Sequence, residues 1–132
     1  MKVHDYIIVD DDPTNNIICK LVIEKFDSNA RVQVFQKPEQ GLAYLQSPLK
    51  NESTSKIVLF LDVNMPTMTG WDFLDEFKKL DKSIRNKFRI YILTSAIEDF
   101  DEEKIKYPMV KAFLSKPLRK ATLQELDLNF SS

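Results

Sequence analysis

The chain predicts an α/β fold: a doubly wound, five-stranded parallel sheet with helices on both faces. Three observations carry this. Five short apolar runs alternate with segments of helical spacing. The runs are nearly continuous in apolar residues, as strands buried on both faces are. The first and third runs stop at carboxylates, and in such sheets ligands sit beyond the carboxyl ends of the strands, where strand order reverses. The common order for five strands, 2-1-3-4-5, puts that reversal between strands 1 and 3.

The apolar runs are Tyr6–Val9, Val32–Phe35, Ile57–Leu61, Ile90–Leu93 and Ala112–Leu114. After the first, Ile17, Ile18, Leu21, Val22 and Phe26 form a stripe at helical spacing, with Asp12-Pro13 as N-cap and first-turn proline. Pro38 opens a second helix carrying Leu42, Ala43 and Leu45. Phe73, Leu74, Phe77 and Leu80 mark a third. A short acidic helix is expected near Phe100–Lys106 and a last one near Thr122–Leu126, ending by Asp127 or Leu128. Ser47–Lys56 is polar and reads as a solvated loop, long for this class.

With 132 residues, the expectation is one domain spanning 1–132 with its core at about 5–128. Lys and Arg number 19 against 20 Asp and Glu, and no basic stripe with interleaved aromatics stands out, so nucleic acid is not an expected partner. No apolar stretch approaches the roughly 18 residues of a membrane span, and no secretory signal is evident, so the expected location is cytoplasmic. The single cysteine, Cys19, excludes an internal disulfide and reads as packing. The single histidine, His4, rules out a multi-histidine zinc site.

The strand ends collect a chemical set. Strand 1 ends in Asp10-Asp11-Asp12, strand 3 in Asp62, strand 4 in Thr94-Ser95 and strand 5 in Ser115-Lys116-Pro117. Asp12 is assigned to capping; the other carboxylates repel one another and need more positive charge than Lys116 supplies. An all-oxygen donor set favours Mg2+ over zinc or copper. A carboxylate can itself be a nucleophile, and phosphoryl transfer asks a protein mainly for positioning and charge neutralisation. Thr94 and Lys116 could serve the phosphoryl oxygens.

Taken together, the acid pair Asp10-Asp11, the D-x-N-M-P segment Asp62–Pro66, Gly70, Thr94-Ser95 and Lys116-Pro117 resemble the response-regulator receiver domains of two-component signalling. These have the CheY-like, flavodoxin-like fold. The resemblance spans about residues 5–128. It implies that Asp62 is the phosphoacceptor. Asp11, Asp62 and the Asn64 carbonyl would bind Mg2+, with Asp10 acting through a metal-bound water. Thr94 would bind the phosphoryl group and move toward it. Lys116 would pair with Asp62 before reaction and with phosphoryl oxygens after it. Pro117 would follow a cis peptide bond, and Phe113 would be a switch aromatic lacking the hydroxyl often found there. Asn15, Ile18, Pro117 and Leu118 would meet the phosphodonor.

The function implied is a signalling switch, not a turnover enzyme, with only Mg2+-dependent self-phosphorylation and autodephosphorylation. The phosphoryl group would come from a sensor histidine kinase or a histidine phosphotransfer protein, and an output protein would read the result. About sixteen residues follow Lys116, too few for an output domain, so output is expected through protein contacts by a monomer or weak dimer. Asn64 and Ala96 fall where the family tunes phosphoryl lifetime, and the small Ala96 suggests hydrolysis in minutes. Two other readings compete. A pseudo-receiver would bind partners without phosphorylation. A haloacid-dehalogenase-like phosphatase would need a second Asp where Asn64 stands. Trp71 is expected to be half-exposed near the site.

Overall fold

The computed structural model describes residues 5–46, 56–95 and 99–126. The elements run β1 (Asp5–Val9), α1 (Pro13–Phe26), β2 (Arg31–Phe35), α2 (Pro38–Gln46), β3 (Ile57–Leu61), α3 (Gly70–Phe77), α4 (Lys82–Arg85), β4 (Phe88–Thr94), α5 (Asp101–Lys106), β5 (Val110–Ser115) and α6 (Lys120–Glu125). The strands form one parallel sheet in the order β2-β1-β3-β4-β5, as the alternation predicts.

Successive strand residues point to opposite faces, so each apolar run feeds two cores. Ile7, Val9, Leu59, Leu61, Ile90 and Ile92 pack with Leu42 and Leu45 of α2 and Phe73, Leu74 and Phe77 of α3. The alternate residues Tyr6, Ile8, Val58, Phe60, Tyr91 and Leu93 pack with Cys19 and Ile23 of α1 and Leu123 of α6. Burial on both faces is what made the runs continuous. The edge strands are more open: Arg31 and Gln33 of β2, and Lys111 of β5, are exposed.

The phase of α1 corrects the sequence reading. Its buried residues are Asn15, Asn16, Cys19 and Ile23, while Ile17 is 63% and Leu21 53% exposed, with Ile18 also outward. The polar pair turns inward because its amides hold the end of β1, and this rotates the most apolar positions toward solvent. Only Val22 and Phe26 of the expected stripe pack partly against the core. Likewise Ala43 is exposed on α2, and α3 stops at Phe77, leaving Leu80 beyond it. The single-turn α4 had no periodic signal. Residues 47–55 of the expected loop, and the expected end of the last helix at 127–128, lie outside the described residues.

Among the described residues, no helix is long and apolar enough to cross a membrane.

Candidate functional site at the carboxyl edge of the sheet

Sheet register builds the site. Val9 lies beside Leu61, and the Asp62 N–H donates to the Val9 carbonyl at 2.9 Å, so β1 and β3 release Asp10 and Asp62 side by side. Thr94 ends β4, and its carbonyl accepts from the Lys116 N–H at 2.8 Å, carrying Lys116 to the same edge. The Lys116–Pro117 bond is cis. Asp10, Asp62 and Thr94 are buried.

Asp10 is held from all sides. Its Oδ1 accepts from the Asp12 N–H at 2.9 Å; its Oδ2 accepts from Asn15 Nδ2 at 2.8 Å and pairs with Lys116 Nζ at 2.7 Å. Asn16 Nδ2 donates to the Asp10 carbonyl at 2.9 Å. Asp12 caps α1, accepting from Thr14 and Asn15 N–H groups. The resemblance implied pairing of Lys116 with Asp62; here Lys116 reaches Asp62 Oδ1 at 3.4 Å, a longer contact than it makes with Asp10.

This leaves Asp62 with fewer compensating contacts than Asp10. Burial raises its pKa, the Asp10 charge adds to the rise, and Lys116 offsets only part, so Asp62 is pushed up to about 6. For Lys116, burial acts downward, but the hydrogen bond and charge of Asp10, then those of Asp62, outweigh it and hold the ammonium above its ordinary value.

Asp10, Asp11 and Asp62 offer one oxygen each within 4.8 Å of one another. Three carboxylates against one ammonium leave a net deficit of positive charge. The donors are all oxygen, and an octahedral ion bound at about 2.1 Å spans about 4 Å between opposite ligands, so small side-chain adjustments would let the set fit Mg2+. Asn64, exposed two residues past Asp62, lies on the same loop.

Gly70 explains how that loop closes. Its N–H donates to the Val63 carbonyl at 2.9 Å. A Cβ there would stand 2.5 Å from the Asp62 carbonyl oxygen and 3.0 Å from Val63 Cα. Only glycine lets α3 begin directly against the phosphoacceptor candidate. Thr69 fixes that start by a reciprocal cap with Asp72: the Asp72 N–H donates to Thr69 Oγ1 at 3.1 Å, and the Thr69 N–H donates to Asp72 Oδ2 at 3.2 Å.

Phe113 is half-buried. Its ring stacks on Phe100 at 5.1 Å and tilts against Trp71 at 6.2 Å, with Lys104 Nζ 5.6 Å from its centroid. Trp71 also stacks on Tyr107 at 5.2 Å, so it is a packing element joining α3 to α5 and β5. Of the expected donor-facing residues, Ile18 and Pro117 are exposed, whereas Asn15 and Leu118 are buried. Asn15 is instead a partner of Asp10, and Leu118 packs in the core beside Leu123.

The family model described as response regulator receiver domain matches residues 6–126. The chain belongs to this family. Its receiver fold is similar to that of a two-component response regulator from Cytophaga hutchinsonii, with TM-score 0.81 and 23% identity over 96% of this chain and 95% of that one. A response regulator receiver protein from Dyadobacter fermentans gives TM-score 0.81 and 25% identity over 92% and 93% of the two chains. A CheY-like receiver domain protein from Methanospirillum hungatei gives 0.68 and 27% over 92% and 89%. No curated protein matches at a significant level.

Sequence reasoning missed Asn16 and the contact of Asn15 with Asp10, having assigned Asn15 only to the phosphodonor. The available signal was their position: two amides in the first turn of a helix that begins just after an acid cluster.

Proposed function

We propose that this receiver accepts a phosphoryl group on Asp62 from a phosphohistidine and, once modified, favours a different protein partner. The carrying observation is a buried Asp62 with Asp10 and Asp11 oxygens within 4.8 Å and the Lys116 ammonium at 3.4 Å. An Asp62 oxygen attacks phosphorus, the P–N bond breaks, and the electron pair leaves on the imidazole nitrogen. Asp11, Asp62 and the Asn64 carbonyl would hold Mg2+ directly, with Asp10 acting through a bound water. The ion supplies charge neutralisation for the phosphoryl oxygens. Lys116 moves its interaction to one of those oxygens, and the Thr94 hydroxyl donates to another.

The three α1 residues Ile17, Ile18 and Leu21 support the donor side of this reading. They form an outward apolar patch on the helix that begins three residues after Asp10, and Pro117 is exposed next to Lys116. A histidine kinase or phosphotransfer protein presenting an apolar helical surface suits it. On the output side, movement of Thr94 would reset Phe113 within its stack on Phe100 and Trp71, altering the α5–β5–α6 face.

Intact-mass measurement after incubation with Mg2+ and acetyl phosphate tests the proposal. The expected product carries one added phosphoryl group, absent in Asp62→Asn. No adduct with either acetyl phosphate or a phosphohistidine donor, in protein shown to bind Mg2+, would establish a pseudo-receiver. Rapid continuous phosphate release would establish a phosphatase. Asn64 opposes that last outcome, because an amide cannot serve as the general acid.

A further inference from the structure

Asp10 has little acceptor capacity left. An ionised carboxylate offers about four lone-pair sites, shared equally by its oxygens. The Asp12 N–H takes one on Oδ1 at 2.9 Å. Asn15 Nδ2 at 2.8 Å and Lys116 Nζ at 2.7 Å fill Oδ2. What remains is a single position on Oδ1.

The two donors on Oδ2 are not equivalent. Lys116 carries a point charge on a flexible stem and also reaches Asp62 Oδ1 at 3.4 Å. In the proposed reaction it leaves Asp10 for a phosphoryl oxygen. Asn15 cannot follow. Its side chain is short, 7% exposed, and fixed in the first turn of α1. The Asp12 cap and the bond from Asn16 Nδ2 to the Asp10 carbonyl at 2.9 Å hold that turn against the end of β1. Asn15 is therefore the donor that keeps Oδ2 engaged when Lys116 turns away.

We infer that Asn15 is a positioning residue that makes the acidic site selective for Mg2+ over Ca2+. This rests on the reading that Asp10, Asp11 and Asp62 surround a divalent ion. Mg2+ binds through few carboxylates and keeps several waters, whereas Ca2+ takes about six to eight oxygens in adaptable geometry, with carboxylates often bidentate. An Asp10 with one position free on Oδ1 can serve a metal-bound water but cannot become a bidentate ligand. The direct carboxylates are then Asp11 and Asp62, a set that suits Mg2+. Without the Asn15 amide, Oδ2 opens as soon as Lys116 turns away, and the carboxylate is free to swing. Asp10 then becomes a third, adaptable ligand of the kind the larger ion uses. The site loses order for Mg2+ and gains ligand atoms for Ca2+.

The test measures metal affinities of the full chain without phosphodonor, from amide NMR shifts at Asp11, Asp62 and Asn64 in separate MgCl2 and CaCl2 titrations. The wild type should prefer Mg2+. Partners of metal-site carboxylates commonly govern about tenfold or more of affinity, so Asn15→Leu should weaken Mg2+ binding about tenfold and Ca2+ binding less than about twofold. The Mg2+/Ca2+ preference should therefore fall by about fivefold or more. Asn15→Ala provides the same test if the leucine variant does not fold. Asn16→Leu is the control: it frees the Asp10 carbonyl but leaves the carboxylate donors, so both affinities should change in step and the preference should hold. A merely structural role for Asn15 would likewise lower both affinities together. A wild type that prefers Ca2+, an unchanged preference in the Asn15 variants, or an equal change of preference in Asn16→Leu would overturn the inference. Wild-type protein without saturable Mg2+ binding would overturn the metal reading beneath it as well. None of these results depends on whether Asp62 accepts a phosphoryl group.

Discussion

Replacing Asp62 by Asn should stabilise the metal-free protein. In the folded chain the Asp62 carboxyl ionises near pH 6 instead of 3.8, because burial and the Asp10 charge oppose its ionisation. A carboxyl whose pKa rises on folding carries no ionisation penalty below about pH 4. The penalty grows between pH 4 and 6 and is constant above. At about 1.4 kcal/mol per pH unit, the displacement corresponds to roughly 3 kcal/mol at neutral pH. Asn keeps the shape and an oxygen for Lys116, and burying its amide returns part of that gain, so we expect about 1–3 kcal/mol. For a chain of this size, about 4 °C in Tm accompanies each kcal/mol. The assay is urea unfolding in EDTA at pH 7.5 and pH 4.0, followed by circular dichroism. Asp62→Asn should be more stable than wild type at pH 7.5, and the difference should shrink at pH 4.0. Excess Mg2+ should narrow the gap by stabilising the wild type preferentially. Equal or lower stability of the variant at pH 7.5 in EDTA would refute the argument that Asp62 is the under-compensated charge.

Asp10→Asn should act in the opposite direction, losing about 2 kcal/mol or more, because Asp10 is the carboxylate that Asn15, Asp12 and Lys116 are built around; the same urea titration checks it. Gly70→Ala drives a methyl to 2.5 Å from the Asp62 carbonyl oxygen, so unfolding should show a loss of about 1–3 kcal/mol and acetyl phosphate labelling should slow. Ile17→Ser with Leu21→Ser removes exposed apolar groups; stability should change by less than about 1 kcal/mol and acetyl phosphate labelling should persist, while transfer from a phosphohistidine donor falls at least tenfold. Isolated phosphoprotein in Mg2+ should lose its phosphoryl group over minutes, given the small residue at Ala96, which lies outside the described residues; a half-life of many hours by intact mass would refute this.

The sheet was legible because burial on both faces writes the strands as unbroken apolar runs. Ile57–Leu61 was read to the residue. The strands extend one to three residues beyond the other runs, and among the added residues Asp5, Arg31 and Arg89 continue the ladder with polar side chains, which hydropathy alone does not mark. The acids, hydroxyl and lysine at the strand ends were legible for a related reason: an apolar run that stops at Asp62 exposes its exception. What failed was the phase of α1. Ile17, Ile18 and Leu21 are its most apolar cluster, yet they face outward. Periodicity weighs side chains against a generic core, whereas this helix packs its first turn against a carboxylate. Asn15 and Asn16 serve that neighbour, which the sequence places five and six residues away with no periodic signal.

The inward asparagines and the outward isoleucines are therefore one structural fact. Asp10 needs amide donors, so the first turn of α1 must turn its polar face to the sheet. With 3.6 residues per turn, fixing Asn15 and Asn16 inside places Ile17, Ile18 and Leu21 on the outer side. An apolar surface close to the acidic site then costs the core little, because Cys19 and Ile23 continue the buried stripe below. If that surface receives the phosphodonor, the requirement that orders Asp10 also orients the docking face toward it. Asn15→Leu separates the two effects. It removes the donor to Asp10 without altering the patch, so labelling by acetyl phosphate and by a phosphohistidine donor should fall together. In Ile17→Ser with Leu21→Ser, only the phosphohistidine reaction should fall. The same pattern of losses in both variants would break the link between α1 phase and donor recognition.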